Sequence, residues 1–430
     1  MKKRIINGKL IDPGSSLEGE FDLLIEKGKI SAIERPGVLP EKGTETLDAK
    51  GFMILPGLVD IHTHLREPGE EYKETIQSGC EAAAAGGFTT ICCMANTHPV
   101  NDHGAITEYI LGKARKANGV HVYPIGAVSK GLQGEELAEI AEMKEEGIVA
   151  VSDDGQPVMN SGLMRRAMEY AKNFDLPVIS HCENKNLSCD GVMHEGYWST
   201  RLGLPAIPAV AEEIMVARDI LLAELTGVRL HIAHVSTKGS VDLIERAKER
   251  GVQISAEVTP HHLILLDEVL QNYNTNGKVN PPLRPEKDRQ ALWEGLKKGV
   301  IDCIATDHAP HDINSKDVDI CQAAFGMIGL ETALPLCLRL VESGALSLSQ
   351  LLEKMTFRPA KLLGLPGGTL SIGSSADLIW VNREEKFRYD AHRGFSKSCN
   401  SPFDQWEFQG KVVMTFVAGQ LVYAGKKREE

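Results

Sequence analysis

The chain has 430 residues, 42% of them hydrophobic and 25% charged, with a formal net charge of -12. That length exceeds one ordinary domain, supplies apolar material for a large core, and carries no basic stripe of the kind that binds a phosphate backbone, so nucleic-acid binding is not expected. The basic start lacks the apolar stretch of a signal peptide, and no apolar run reaches membrane-spanning length. Nine scattered cysteines without a Cys-x-x-Cys pair argue against a disulfide framework, and a soluble, cytoplasmic protein is the expectation.

The first fifty or so residues read as short strands broken by turns. Ile5-Ile6 precedes Asn7-Gly8, residues 21–25 precede Lys27-Gly28, and residues 30–33 precede Pro36-Gly37. From Ile54 the pattern changes. Eight apolar strand candidates, centred on Val59, Ile91, Val122, Val149, Val178, Ile232, Ile254 and Ile304, are separated by amphipathic stretches. Residues 240–250, for instance, set Val241, Ile244 and Ala247 on one face before Gly251. Alternating strands and helices imply a parallel sheet, and eight repeats imply a closed (β/α)₈ TIM barrel. An open doubly wound sheet is the rival, lowered because no glycine-rich phosphate loop follows the first strand.

The connections from His181 to Ile232 and from Ile254 to Ile304 exceed the length of one helix, so active-site loops are expected there. The polar, aperiodic segment 312–324 is expected to be a mobile lid. The last sixty residues return to short strands, at 376–381, 412–418 and 421–423. Residues 1–53 and 368–430 are therefore expected to form one small β-sandwich beside a barrel of residues 54–367.

Several of the barrel strands end in a residue that can bind metal. His62 and His64 close the first strand on one face, Asp153 and Asp154 follow the fourth, His181 the fifth, His234 the sixth and Asp307 the eighth. Ligands delivered from the carboxyl ends of separate strands describe a metallohydrolase site at a barrel mouth. Six ligands exceed one tetrahedral shell and suit one or two zinc ions, two being expected, with a shared carboxylate. Only one of the adjacent aspartates can face inward, and the residues alone leave open which. Of the other histidines, His231 is expected to point away from the lumen and His308 to leave the ligand shell. His261 and His262 are as readily structural as functional, and His98, His103, His121, His194 and His392 lack a matching context. His311, at the end of the tight segment Asp307-His308-Ala309-Pro310-His311, is expected to return to the pocket.

These stretches carry a resemblance. His62-Thr63-His64-Leu65-Arg66-Glu67-Pro68-Gly69, Met94-Ala95-Asn96-Thr97, Asp153-Asp154-Gly155, Val279-Asn280-Pro281-Pro282-Leu283-Arg284 and Phe325-Gly326-Met327-Ile328-Gly329-Leu330-Glu331, with the His308 segment, resemble the amidohydrolase superfamily and within it the class I dihydroorotases. The resemblance implies a barrel flanked by a β-sandwich and interconversion of dihydroorotate with N-carbamoyl-L-aspartate in pyrimidine synthesis. It also implies roles. His62, His64 and Asp307 resemble ligands of one zinc, His181 and His234 of a second, and Asp307 the catalytic group that takes and returns a proton. Many relatives bridge the metals with a carboxylated lysine. No lysine stands at the end of this fourth strand, and Asp154, just before the glycine, resembles the bridge of one bacterial branch.

Arg66, Asn96 and His311 resemble a clamp on the substrate carboxylate, Asn280 a contact to the ring amide, and Phe325 and Gly326 further substrate contacts. The chain departs from the family at Ala95 and at Ala323 or Ala324, where proline is usual; loss of a fixed φ loosens these segments without removing a functional group. Relatives imply a homo-oligomer and a non-covalent complex with aspartate transcarbamoylase. The rival readings are another cyclic amidase, hydantoinase-like or allantoinase-like, and a non-catalytic partner of the transcarbamoylase.

Overall fold

The computed structural model describes residues 2–117 and 119–425. Parallel ladders join the strands Leu58–Thr63, Phe88–Cys93 and His121–Pro124, and a second set joins Val178–Ser180, Leu230–Ile232, Ile254–Val258 and Cys303–Ile304. Single parallel bridges connect the two sets. Val151 pairs with Gly126 on one side and Val178 on the other, and Thr63 pairs with His308. Each expected barrel strand is present, the fourth only as the bridging residue Val151.

Side-chain alternation sorts the strands into two faces. Leu58, Ile91, Val122, Val151, Val178, Leu230, Ile232, Ala256, Val258 and Ile304 pack outward with the helices. Val59, Ile61, Cys92, Met94, Ile125, Ala150, Ile179, Ala233, Cys303 and Ala305 form an inner cluster, closed below by Ala360, Leu363 and Leu365. The helix Lys238–Glu249 buries Val241, Ile244 and Ala247 as its period required.

Both chain ends enter one eight-stranded sheet. Lys2–Asp12 pairs with Leu17–Glu26 and Glu45–Asp48, while Met53–Pro56 pairs with Leu378–Arg388, which pairs in turn with Glu407–Val417. Two details differ from expectation. Ile54 to Pro56 belong to this sheet, so the barrel begins just after Pro56. Segment 312–324 also contains a helical turn, Ile313–Lys316, whose N-cap is the Asp312 side chain.

Candidate metal centre

Six of the predicted ligands meet at the mouth of the barrel. His62 Nε2 lies 3.3 Å from Asp154 Oδ1 and 3.6 Å from Asp307 Oδ1, and His64 Nε2 lies 3.5 Å from Asp154 Oδ2 and 2.9 Å from Asp307 Oδ1. His181 Nδ1 and His234 Nε2 each stand 3.4 Å from Asp154 Oδ1 and 3.0 Å from one another. Asp154 thus touches all four imidazoles, the place a bridging ligand would take.

The outer nitrogens explain why the inner ones converge. His62 Nδ1 donates to Glu257 Oε1 at 2.5 Å, His64 Nδ1 to Asn96 Oδ1 at 2.9 Å, and His181 Nε2 to Glu183 Oε2 at 3.1 Å. Each bond leaves the other ring nitrogen facing the carboxylates, an arrangement that repels unless a proton or a metal ion lies between. His62 Nε2 and Asp154 Oδ1 are buried and without a hydrogen-bond partner. Burial opposes charge on His62, yet Asp154 and Glu257 raise its affinity for a proton. Burial likewise favours the neutral acid at Asp307, but the His64 hydrogen bond and the charge of His62 offset this and hold its carboxyl below the usual carboxylate range. The centre therefore demands positive charge, and nitrogen and carboxylate donors in this arrangement fit zinc.

Backbone strain accompanies the same residues. Arg66, His234 and Asp307 have φ of 61°, 30° and 48°, values that cost side-chain-bearing residues roughly 1–3 kcal/mol each and tend to be retained where function requires them.

A cavity of about 300 Å³ opens above this cluster. Arg66, Asn96, Asn280, His311, Phe325 and Gly326, all predicted from sequence, line it together with Glu183 and Lys185. Arg66 is buried; its Nε donates to Pro310 O at 3.2 Å, and its Nη2 lies 3.2 Å from His311 Nε2. His311 Nε2 lies 2.9 Å from Phe325 O, while Nδ1 is buried without a partner. Burial and the adjacent Arg66 hold His311 neutral, down to about 2.

Two family models match the chain, one described as Dihydro-orotase-like over residues 51–240 and one as Amidohydrolase family over residues 207–423. The dihydroorotase of Syntrophus aciditrophicus is 55% identical over 424 residues, 98% of this chain and 99% of that protein. The chain belongs to the dihydroorotase family. A second family member, the dihydroorotase of Acetivibrio thermocellus, is 52% identical over 98% of this chain and 99% of its own length. Among solved structures, the L-hydantoinase (dihydropyrimidinase) of Arthrobacter aurescens superposes with a TM-score of 0.88 at 28% identity, covering 100% of this chain and 98% of the other.

Sequence reasoning misplaced one side chain of this dihydroorotase-family site, left one open and missed two more. Asp153 is the one left open, and it does not join the cluster. It is buried and accepts from Val128 N at 2.7 Å, Ser129 N at 3.0 Å and the Ser129 hydroxyl, anchoring the loop after the third strand; burial raises its carboxyl to about 6 despite these bonds. His231 faces the lumen, not away from it, with Nε2 3.2 Å from Glu257 Oε2 and Nδ1 2.7 Å from Ser255 Oγ. The error came from taking Ile232 as inward, when it packs under the helices.

The missed residues are Glu257 and Glu183. Glu257 is a buried mid-strand carboxylate clasped by His62 and His231, and Glu183, two residues past His181, collects His181, Lys185 and Asn280. A carboxylate at period two inside an apolar strand, and another two residues past a ligand, were the available signs. His308 leaves the cluster as expected, toward Glu74 and Gly329 N. His262 bonds Thr259 and Pro281 O, and His194 accepts from Arg284, so neither joins the centre.

Proposed function

We propose that the chain is a zinc-dependent dihydroorotase that closes N-carbamoyl-L-aspartate reversibly to (S)-dihydroorotate, a step of de novo pyrimidine (UMP) biosynthesis. The observation that carries this reading is the buried Arg66 guanidinium in the same cavity as the six ligands. A cyclic amide alone needs no cation there, whereas a ring bearing a carboxylate does, and a planar guanidinium matches it with two parallel hydrogen bonds. His311 supports the clamp, because its unpartnered Nδ1 can take up a proton as the anion arrives. Asp154 in place of a bridging lysine, together with Arg66, speaks against a hydantoinase-like or allantoinase-like activity.

His62, His64 and Asp307 would hold one ion, His181 and His234 a second, with Asp154 shared. When bound, zinc lowers the pKa of water in the site to about 7 and polarises a carbonyl. The protein residues do the rest. Arg66, Asn96 and His311 fix the carboxylate, and Asn280, held by Glu183 at 2.9 Å, meets the ring amide. Asp307 accepts the proton released as water adds to the amide carbon and delivers it to the departing ring nitrogen. Biosynthesis runs the steps backward: the ureido nitrogen closes on the β-carboxyl and water leaves.

A cytoplasmic homo-oligomer, with a non-covalent aspartate transcarbamoylase complex, completes the proposal. No described helix is long and apolar enough to cross a membrane. Retention of all six ligands disfavours a non-catalytic partner.

Turnover of dihydroorotate against hydantoin and allantoin, with zinc content on the same sample, tests the reading; preference for a neutral amide would sink it. Arg66→Lys should raise the Michaelis constant for dihydroorotate and carbamoyl aspartate, since an ammonium cannot form the forked pair, and leave neutral amides unaffected. Equal loss on both classes would make Arg66 structural.

A further inference from the structure

Two lysines that no catalytic role requires are buried beside the substrate cavity. Lys316, in the turn Ile313–Lys316, donates through Nζ to Ala324 O at 2.7 Å and Gly326 O at 3.0 Å. Lys278 donates to Ile320 O at 2.7 Å and Cys321 O at 3.3 Å, and its Nζ lies 4.3 Å from the centre of the Phe325 ring. The carbonyl of Lys278 also accepts Gly326 N at 2.9 Å. Both side chains are buried, and among the described residues neither ammonium lies within ion-pair distance of a carboxylate, Asp319 acting on Lys278 only from farther away.

Burying a cation without a counter-ion is costly, so this arrangement calls for a reason. Four carbonyls of one loop converge on two amines, at residues 320 and 321 and at residues 324 and 326. The loop is held at both shoulders. Phe325 O in turn meets His311 Nε2, while Asn400 accepts His311 N at 3.0 Å and donates to Gly326 O at 3.1 Å. Lys278 stands two residues before Asn280, so these bonds tie the Asn280 loop to the Phe325 loop.

We propose that Lys278 and Lys316 are positioning residues that pin loop 312–326 over the cavity and set the places of Phe325, Gly326 and His311. Burial pulls Lys316 down to about 7 and Lys278 to about 8. A neutral amine keeps two N–H donors, one for each of its two carbonyls, so the pin holds in either protonation state. This inference rests on the cavity being a dihydroorotate site.

The test uses the full-length, zinc-loaded protein with Lys278→Met and Lys316→Met, which keep the length of the arm and remove its donors. The Michaelis constant for dihydroorotate should rise by about tenfold or more while kcat changes less, because a loosened loop weakens substrate placement more than proton transfer. Zinc content and far-ultraviolet dichroism should match wild type, and proteinase K should cut within 312–326 faster than in wild type. Unchanged Michaelis constant and cutting in the folded, zinc-loaded variants would overturn the proposal. If the methionine variants do not fold, Lys316→Gln, with donors on a shorter arm, decides by the same readouts. A wild-type protein inactive on dihydroorotate would refute the substrate reading, while proteolysis would still report on the pin.

Discussion

The mouth and the floor of this barrel are built from the same strands and handle polar groups in opposite ways. At the mouth, lone pairs and carboxylates face one another, His62 Nε2 and Asp154 Oδ1 lack partners, and Arg66, His234 and Asp307 hold positive φ. At the floor, Ala360, Leu363 and Leu365 plug the inner cluster, and Asp377 is matched by His121, Ser375 and Ala418 N. One end gives up stability to present a site; the other makes good on the fold, the usual division in barrels of this kind.

The comparison breaks most visibly at Asp307. Asp307→Asn keeps an oxygen that can bind metal but cannot shuttle a proton, so kcat should fall roughly a hundred- to ten-thousand-fold while the fold survives. A variant that retained more than about a tenth of the rate would put the proton elsewhere.

The adjacent aspartates sharpen it. Asp154→Ala removes the carboxylate that contacts four imidazoles, and at least one equivalent of zinc should go with it, since two cations would be left without an anion between them. Asp153→Ala should keep its zinc and instead lose about 1–3 kcal/mol of stability, because Val128 N, Ser129 N and the Ser129 hydroxyl are left without an acceptor. Metal analysis and denaturant titration on both variants decide it. Zinc lost from Asp153→Ala and kept by Asp154→Ala would reverse the assignment of the two residues.

Glu257 lies between the two regimes. Its removal as Glu257→Gln weakens the acceptor that sets the His62 tautomer, and comparable supporting groups change metal affinity by about 10–100-fold. Competition with a chelator would read this directly; unaltered affinity would make Glu257 a packing residue only.

What the sequence disclosed, and what it hid, follows the same divide. The strand-end histidines and aspartates that meet at the mouth were legible because apolar runs terminate at them, and backbone alternation needs no distant information. His231 was misread because strands of a parallel barrel are apolar on both faces, so Ile232 carried no mark of which side it faced. Asp153 and Glu257 were opaque for a different reason. Each is stabilised by groups remote in sequence: Val128 and Ser129 for Asp153, His62 and His231 for Glu257. The local pattern marks Glu257 as a carboxylate inside an apolar strand but cannot name its partner His62, 195 residues away. The sheet boundary slipped for a milder cause, since Ile54 to Pro56 are as apolar as the barrel strand that follows them.

The smallest expected effect lies at the floor, where His121 Nε2 meets Asp377 Oδ2 at 3.2 Å. The hydrogen bond to Asp377 raises the His121 pKa against the opposing pull of burial. Burial works against the charged form of Asp377 too, but His121 and the other donors hold its carboxyl below the usual range. A raised histidine stabilises the fold fully below its unfolded value of about 6.5 and less as pH climbs through the folded one; a depressed carboxylate stabilises above its unfolded value of about 3.9 and less as pH falls through the folded one. The pair therefore contributes most between those windows, near pH 5–6. More than a third of the imidazole is exposed, so water screens the interaction and its worth stays below about 1 kcal/mol. Unfolding of wild type and His121→Gln at pH 5.5 and pH 9 should show a gap at the lower pH that shrinks at the higher, with zinc content and turnover unmoved. A gap that widened with pH would mean that His121 contributes through packing rather than charge.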